Sequence, residues 1–193
     1  MPLSFRRPSL PLLLLALSLY LPLAGQAKAE GTAADRASPL PTIGQLDVPR
    51  YLGRWYEIAR LPNRFQQACV GQSEADYEQQ ADGSLRVTNR CPLASGEINQ
   101  AVGLARQIGA ADSPKLQVRF APAWLSFIPA VWGNYWVVDL DPDYRWSIVS
   151  EPRREYLWLL AREPRLDAAP LSRLRQRLQA LGFDPDALRY AQP

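Results

Sequence analysis

Histidine is absent from all 193 residues. That removes imidazole general acid–base catalysis, the Ser-His-Asp arrangement and the common zinc sites. Cysteine occurs only twice, at Cys69 and Cys91, and two thiolates cannot complete a structural zinc site. No metal or cofactor is expected. Long apolar runs are scarce too. The one candidate, residues 10–23, is interrupted by Pro11 and Pro22 and is too short for a comfortable membrane span. Excess charge is also missing. The 22 Lys plus Arg outnumber 19 Asp plus Glu only because Arg6, Arg7 and Lys28 lie in the first 29 residues, which contain no acid. Without them the two signs balance at 19 each, so no nucleic-acid partner is expected.

What is present begins with the order of a secretory signal peptide. Arg6 and Arg7 precede the apolar run, and Ala27-Lys28-Ala29 supplies small residues for cleavage. Residues 1–29 are therefore expected to be removed; an uncleaved anchor is the alternative. Residues 30–45 are small, polar and Pro-containing, and read as a flexible lead-in. Residues 46–193 remain as one domain with a single core. The protein is expected to be exported, to the periplasm or the outer membrane. No cysteine lies at the signal junction, so no lipid attachment is expected there. In an exported chain a pair of cysteines is more often a disulfide than two free thiols.

The domain is organised around residues 46–62, LDVPRYLGRWYEIARLP. Gly53 lets the backbone bend or approach another segment closely. Trp55, two residues on, shares a strand face with it and is large enough to plug one end of a barrel. Strand-like runs then recur at 70–79, 85–91, 97–107, 115–120, 134–140, 144–150 and 156–161, parted by turn signals such as Asp82-Gly83. With the opening strand these make eight, joined mainly by short links, which suggests an all-β fold, an eight-stranded antiparallel up-and-down barrel. Only afterwards does the period change. Leu171, Leu174, Leu178 and Leu181 recur at helical spacing between Pro170 and Gly182, predicting one C-terminal helix packed outside the barrel. Residues 188–190 allow a short last strand.

Three segments stand in a recognisable order: YLGRWYEIARLPNRF at 51–65, VVDLDPDYRWSIV at 137–149 and YLWLLAREP at 156–164. On these the chain resembles the lipocalin family, in particular its bacterial lipocalin (Blc-type) branch, which is similar to apolipoprotein D and the plant temperature-induced lipocalins. The resemblance implies that Gly53, Trp55, the turn at 139–144 and Arg162 meet at the closed end, with Arg162 stacked on Trp55. It also implies that Cys69 and Cys91 face each other at the open end, across one hairpin, as a disulfide. The chain departs from the Blc pattern in lacking a lipidated cysteine and in carrying a long apolar stretch at 121–131.

In such a barrel Trp158 shares a face with Tyr156, Leu160 and Arg162, Tyr135 shares one with Val137, and Val118 shares one with Phe120. If these faces look inward they line a lumen able to hold one small ligand, with Phe65 at the mouth. Each aromatic reads equally well as core packing. A fatty acid or lysophospholipid fits these walls better than a polar metabolite, its head group near Arg60, Arg64 or the tyrosines. Trp124, Leu125, Phe127 and Ile128 would stand at the open rim as a membrane-contact loop, or fold over the mouth as a lid. Two rivals remain at this point: a lipid-directed enzyme using Cys69 as a thiol nucleophile, with no histidine to activate it, and a membrane-surface or partner-binding module. The sequence does not choose between monomer and homodimer.

Overall fold

The computed structural model describes residues 38–191. Asp47 precedes the first helix among the described residues. Its carboxylate accepts from Arg50 N at 3.3 Å and caps the one-turn helix α1 (Val48–Tyr51), with Pro49 in the first turn. Gly53 then takes φ +86, a left-handed conformation that glycine adopts without a Cβ clash, and turns the chain into β1 (Gly53–Arg60).

Seven more strands follow: β2 (Glu74–Gln79), β3 (Leu85–Pro92), β4 (Ile98–Gln107), β5 (Lys115–Arg119), β6 (Gly133–Leu140), β7 (Trp146–Ser150) and β8 (Leu157–Ala161). Each pairs antiparallel with the next, β8 returns to β1, and β1 also pairs with β2 from Gly53↔Tyr77 to Tyr56↔Glu74, closing the barrel. Beyond Tyr56 the exposed edge of β1 is covered by β9 (Arg189–Tyr190), which pairs with Ala59 and Arg60. The helix α2 (Ala168–Ala180) follows β8 as the leucine spacing predicts.

Period-two alternation divides the apolar residues into two cores. In β8, Leu157, Leu159 and Ala161 face outward and pack with Leu174, Leu178, Leu181 and Phe183 under α2. Leu160 and Trp158 face inward and join Trp55, Tyr77, Leu85, Val87, Leu116, Val137 and Val149. A bulge between Glu57 and Ala59 resets β1, so that Ile58 and Ala59 both reach the helix-side core.

Several boundaries differ from the sequence expectation by a residue, and three differences have a local cause or bear on the site. β2 begins at Glu74, because residues 63–73 are engaged in a structured loop at the open end. β7 begins at Trp146, because Tyr144 occupies a left-handed turn (φ 60) closed by Tyr144 N donating to Asp141 O at 2.8 Å. Phe120 lies just past the end of β5. The flexible lead-in is corrected over 38–45. Leu40 is only 4% exposed in the helix-side core, Ile43 N donates to Val137 O at 3.2 Å, and Arg154 Nη1 donates to Ser38 O at 3.0 Å. Leu40 and Ile43 supply apolar surface that is worth burying, which the polar composition around them concealed. Residues 30–37 and the signal peptide expected at 1–29 lie outside the described residues.

Candidate ligand-binding site

The lumen is built on a closed floor. Trp55 is fully buried there, and its indole N–H donates to Tyr51 O at 2.8 Å. Arg162, at the end of β8, seals it from below: its guanidinium carbon lies 3.9 Å from the Trp55 ring centroid. Nη1 and Nη2 of Arg162 donate to the carbonyls of Arg54 and Arg50, each at 2.7 Å. A Cβ on Gly53 would stand 3.6 Å from Arg162 Nη1, so the glycine's role there is its backbone angle and not space. Burial holds the Arg162 pKa below its ordinary value, against the phenols of Tyr51 and Tyr77.

Above Trp55 stands a phenol cluster that sequence reading missed. Tyr51 and Tyr77 hydroxyls lie 2.9 and 2.8 Å from the Tyr135 hydroxyl, and Tyr51 is also 3.1 Å from Ser147 Oγ. Burial pushes the Tyr51 pKa up to about 12, and it raises those of Tyr77 and Tyr135 in the same direction. The three phenols are neutral donors and acceptors that satisfy one another. Tyr135 is thus committed to the floor. Val137 is fully buried in the same core, so it forms floor packing and no accessible wall.

Further aromatic side chains stand beyond that floor. Tyr156 and Trp158 stack with centroids 6.0 Å apart, and Phe65 continues the line 5.4 Å from Tyr156. This aromatic ladder runs from mouth to interior. Val118 packs on the opposite side. Phe120 lies across β4, where a Cβ on Gly103 would come within 2.7 Å of its ring; the glycine is what lets the phenyl lie there.

A polar bracket holds the mouth. Asn63 Oδ1 accepts from Phe65 N and Gln66 N at 3.0 and 3.1 Å, fixing a single 3-10 turn over Arg64–Gln66. The Gln66 amide then reaches inward. Its Nε2 donates to Glu57 Oε2 at 2.6 Å and Ser73 Oγ at 3.1 Å, while its Oε1 accepts from Trp158 Nε1 and Asn63 Nδ2, both at 2.9 Å. Glu57 is only 3% exposed and its other oxygen pairs with Arg60. A glutamate in an aromatic strand reads as solvent-facing, and no sequence signal marked Glu57 or Gln66.

Cys69 and Cys91 form a disulfide, with Cα atoms 5.6 Å apart, tying this loop to the end of β3. Beside it Arg60, Arg64 and Arg189 share a polar cavity of about 370 Å³ with Asn63, Gln66 and Gln67. Between β5 and β6 the apolar stretch forms two short 3-10 turns, Ala123–Leu125 and Pro129–Val131. Trp124 and Phe127 are 72% and 78% exposed, whereas Leu125 and Ile128 are half-buried. The rim therefore presents two rings, and not four apolar side chains, to solvent.

The lipocalin-like domain family matches residues 46–193. The chain belongs to the lipocalin family. Temperature-induced lipocalin-1 of Arabidopsis thaliana is 37% identical over 147 residues, 75% of this chain and 78% of that protein. The outer membrane lipoprotein Blc of Escherichia coli K12 is 35% identical over 143 residues, 71% and 76% of the two chains. Apolipoprotein D of Macaca fascicularis is 32% identical over 131 residues, 67% and 65%. Insecticyanin from the tobacco hornworm Manduca sexta superposes with a TM-score of 0.62 at 16% identity, covering 80% of this lipocalin and 84% of that chain; this likeness bears on fold alone. Lipocalins bind small hydrophobic ligands and are generally binding or transport proteins.

Proposed function

We propose that this lipocalin carries one fatty acid or lysophospholipid in the upper lumen. The observation that supports it is the aromatic ladder Phe65–Tyr156–Trp158 standing over a floor whose polar groups are already satisfied. Such a floor offers nothing to a polar metabolite and repels nothing apolar. Burying about 10 methylenes contributes roughly 8 kcal/mol gross at about 0.8 each, which corresponds to about micromolar affinity before ordering costs. The head group stays at the mouth, where Arg60, Arg64 and Arg189 line the polar cavity. With both cysteines in a disulfide the thiol needed by a Cys69 enzyme is tied up, which favours carriage over catalysis.

The protein acts outside the cytoplasm, in the periplasm or at the outer membrane, and exchanges its lipid at a membrane surface through Trp124 and Phe127. Its role is envelope lipid storage, transport or maintenance. Native mass spectrometry of the protein after mild extraction tests the proposal. One lipid-sized adduct per chain, releasing an acyl chain on collision, is expected; a bare polypeptide mass from lipid-replete cells contradicts it.

A further inference from the structure

Behind the exposed rim rings, the outer face of β4–β6 carries an arrangement that packing does not need. Arg106, Lys115 and Arg119 all point outward there, because they alternate with Ala105, Leu116 and Val118, which pack in the inner core, and share a face through the pairs Leu104↔Arg119, Arg106↔Gln117 and Lys115↔Trp136. The outward positions over Leu104–Arg106, Lys115–Arg119 and Asn134–Trp136 include no carboxylate. Arg106 and Arg119 flank the Trp132 ring, with guanidinium carbons 4.0 and 5.3 Å from its centroid. Arg119 is only 7% exposed, yet none of the ion pairs among the described residues includes it or Arg106. Its Nη1 bonds Ala121 O and its buried Nε has no partner. Leaving a largely buried cation unpaired is costly.

The stack is fixed to the rim. Trp132 Nε1 donates to Ser126 O at 2.8 Å, and Ala121 is the residue that Arg119 holds. Exposed Arg106 and shielded Arg119 therefore place two positive charges without an ion-pair partner on a stack bonded to the loop that carries Trp124 and Phe127. Indole and phenyl rings suit the boundary between head groups and acyl chains, and a low-dielectric surround lets the Arg119 field extend outward.

Resting on the carrier reading above, we infer that this face docks on an anionic phospholipid bilayer: Trp124 and Phe127 enter the interface, and Arg106 and Arg119 select negatively charged head groups. The charge behind the rings thus specifies the membrane and not merely its apolarity.

Co-sedimentation with vesicles of phosphatidylcholine alone, or mixed with phosphatidylglycerol, tests it. The mixed vesicles should bind at least about tenfold better, with the preference lost at high salt. Arg106→Gln, at an exposed site, should weaken mixed-vesicle binding about fivefold, the effect of one charge near the surface. Arg119→Gln should do the same, with circular dichroism confirming its fold. Equal binding to both vesicle types overturns the inference, as does undiminished binding by Arg106→Gln. Competition by soluble glycerol phosphate as strong as that by vesicles also overturns it, because an isolated anion site would explain that result. Absence of binding to any vesicle, with a fluorescent fatty acid still bound, removes the docking face and leaves the carrier standing. Failure of the unmutated protein to bind the fatty acid removes the carrier reading instead.

Discussion

The Arg162 guanidinium carbon stacks 3.9 Å from the Trp55 ring centroid while two of the guanidinium nitrogens cap the carbonyls of Arg50 and Arg54. One side chain therefore joins the end of β8 to both α1 and the start of β1. Trp55→Ala should cost about 3–5 kcal/mol, as for a large buried aromatic. Arg162→Ala should cost less, about 1–2 kcal/mol, because it removes the stacked cation and leaves the plug. Urea denaturation of both variants checks the order. Equal and negligible losses contradict the closed-end architecture.

Glu57 and Arg60 are paired with side chains only 4% and 11% exposed. Glu57→Ala leaves the buried guanidinium without its carboxylate and the Gln66 amide with Ser73 alone, and should destabilise by about 3–5 kcal/mol. Salt should change this loss little, since screening acts weakly on buried pairs. A loss below about 1 kcal/mol, or one that vanishes at high salt, shows that the bracket is solvated.

The phenol cluster makes an alkaline prediction. Burial raises the folded pKa of Tyr51 to about 12 from an ordinary value near 10, and raises Tyr77 and Tyr135 in the same direction. Below about pH 10 both folded and unfolded forms are protonated, and the stability is fully present. Between about pH 10 and 12 the unfolded chain releases protons that the folded one retains, so stability falls as pH rises. The melting temperature should drop steeply over that window. Tyr135→Phe, which loses both phenol contacts, should flatten the drop while lowering stability at neutral pH by about 1–3 kcal/mol. A native protein whose tyrosines all ionise together near pH 10 contradicts the cluster.

The Cys69–Cys91 bridge spans 22 residues. In the chain-entropy account closing such a loop contributes about 3 kcal/mol. Reduction should lower the melting temperature while the far-ultraviolet β signal persists below it. Loss of that signal on reduction at room temperature shows that the barrel depends on the bridge.

Strand order and the outer helix were legible because they rest on periodicity, whereas the Trp55–Arg162 contact was available only as what the lipocalin resemblance implies. The phenol cluster was not legible. Tyr51 precedes β1 inside a one-turn helix, and Tyr77 alternates with acids in a strand whose inward face only the closed barrel defines. Glu57 escaped for a related reason: the bulge after it and the inward reach of Gln66 are set by tertiary contacts. Leu40 was hidden by its polar neighbours. Parity placed Trp158 on one face with Tyr156 and Leu160, but it could not say which way that face looks, nor that Val137 and Tyr135 would be used up in packing the floor.

Trp158 stands where the ladder meets the lumen and carries the central claim. Titration of a fluorescent fatty acid into the unmutated protein, Trp158→Glu and the rim variant Trp124→Glu with Phe127→Glu tests it most directly. The account predicts saturable one-to-one binding to the unmutated and rim-variant proteins. It also predicts binding weakened at least about a hundredfold in Trp158→Glu, because a carboxylate buried among aromatic rings loses several kcal/mol of hydration. Undiminished fatty-acid binding by a folded Trp158→Glu protein would contradict the lumen as the site.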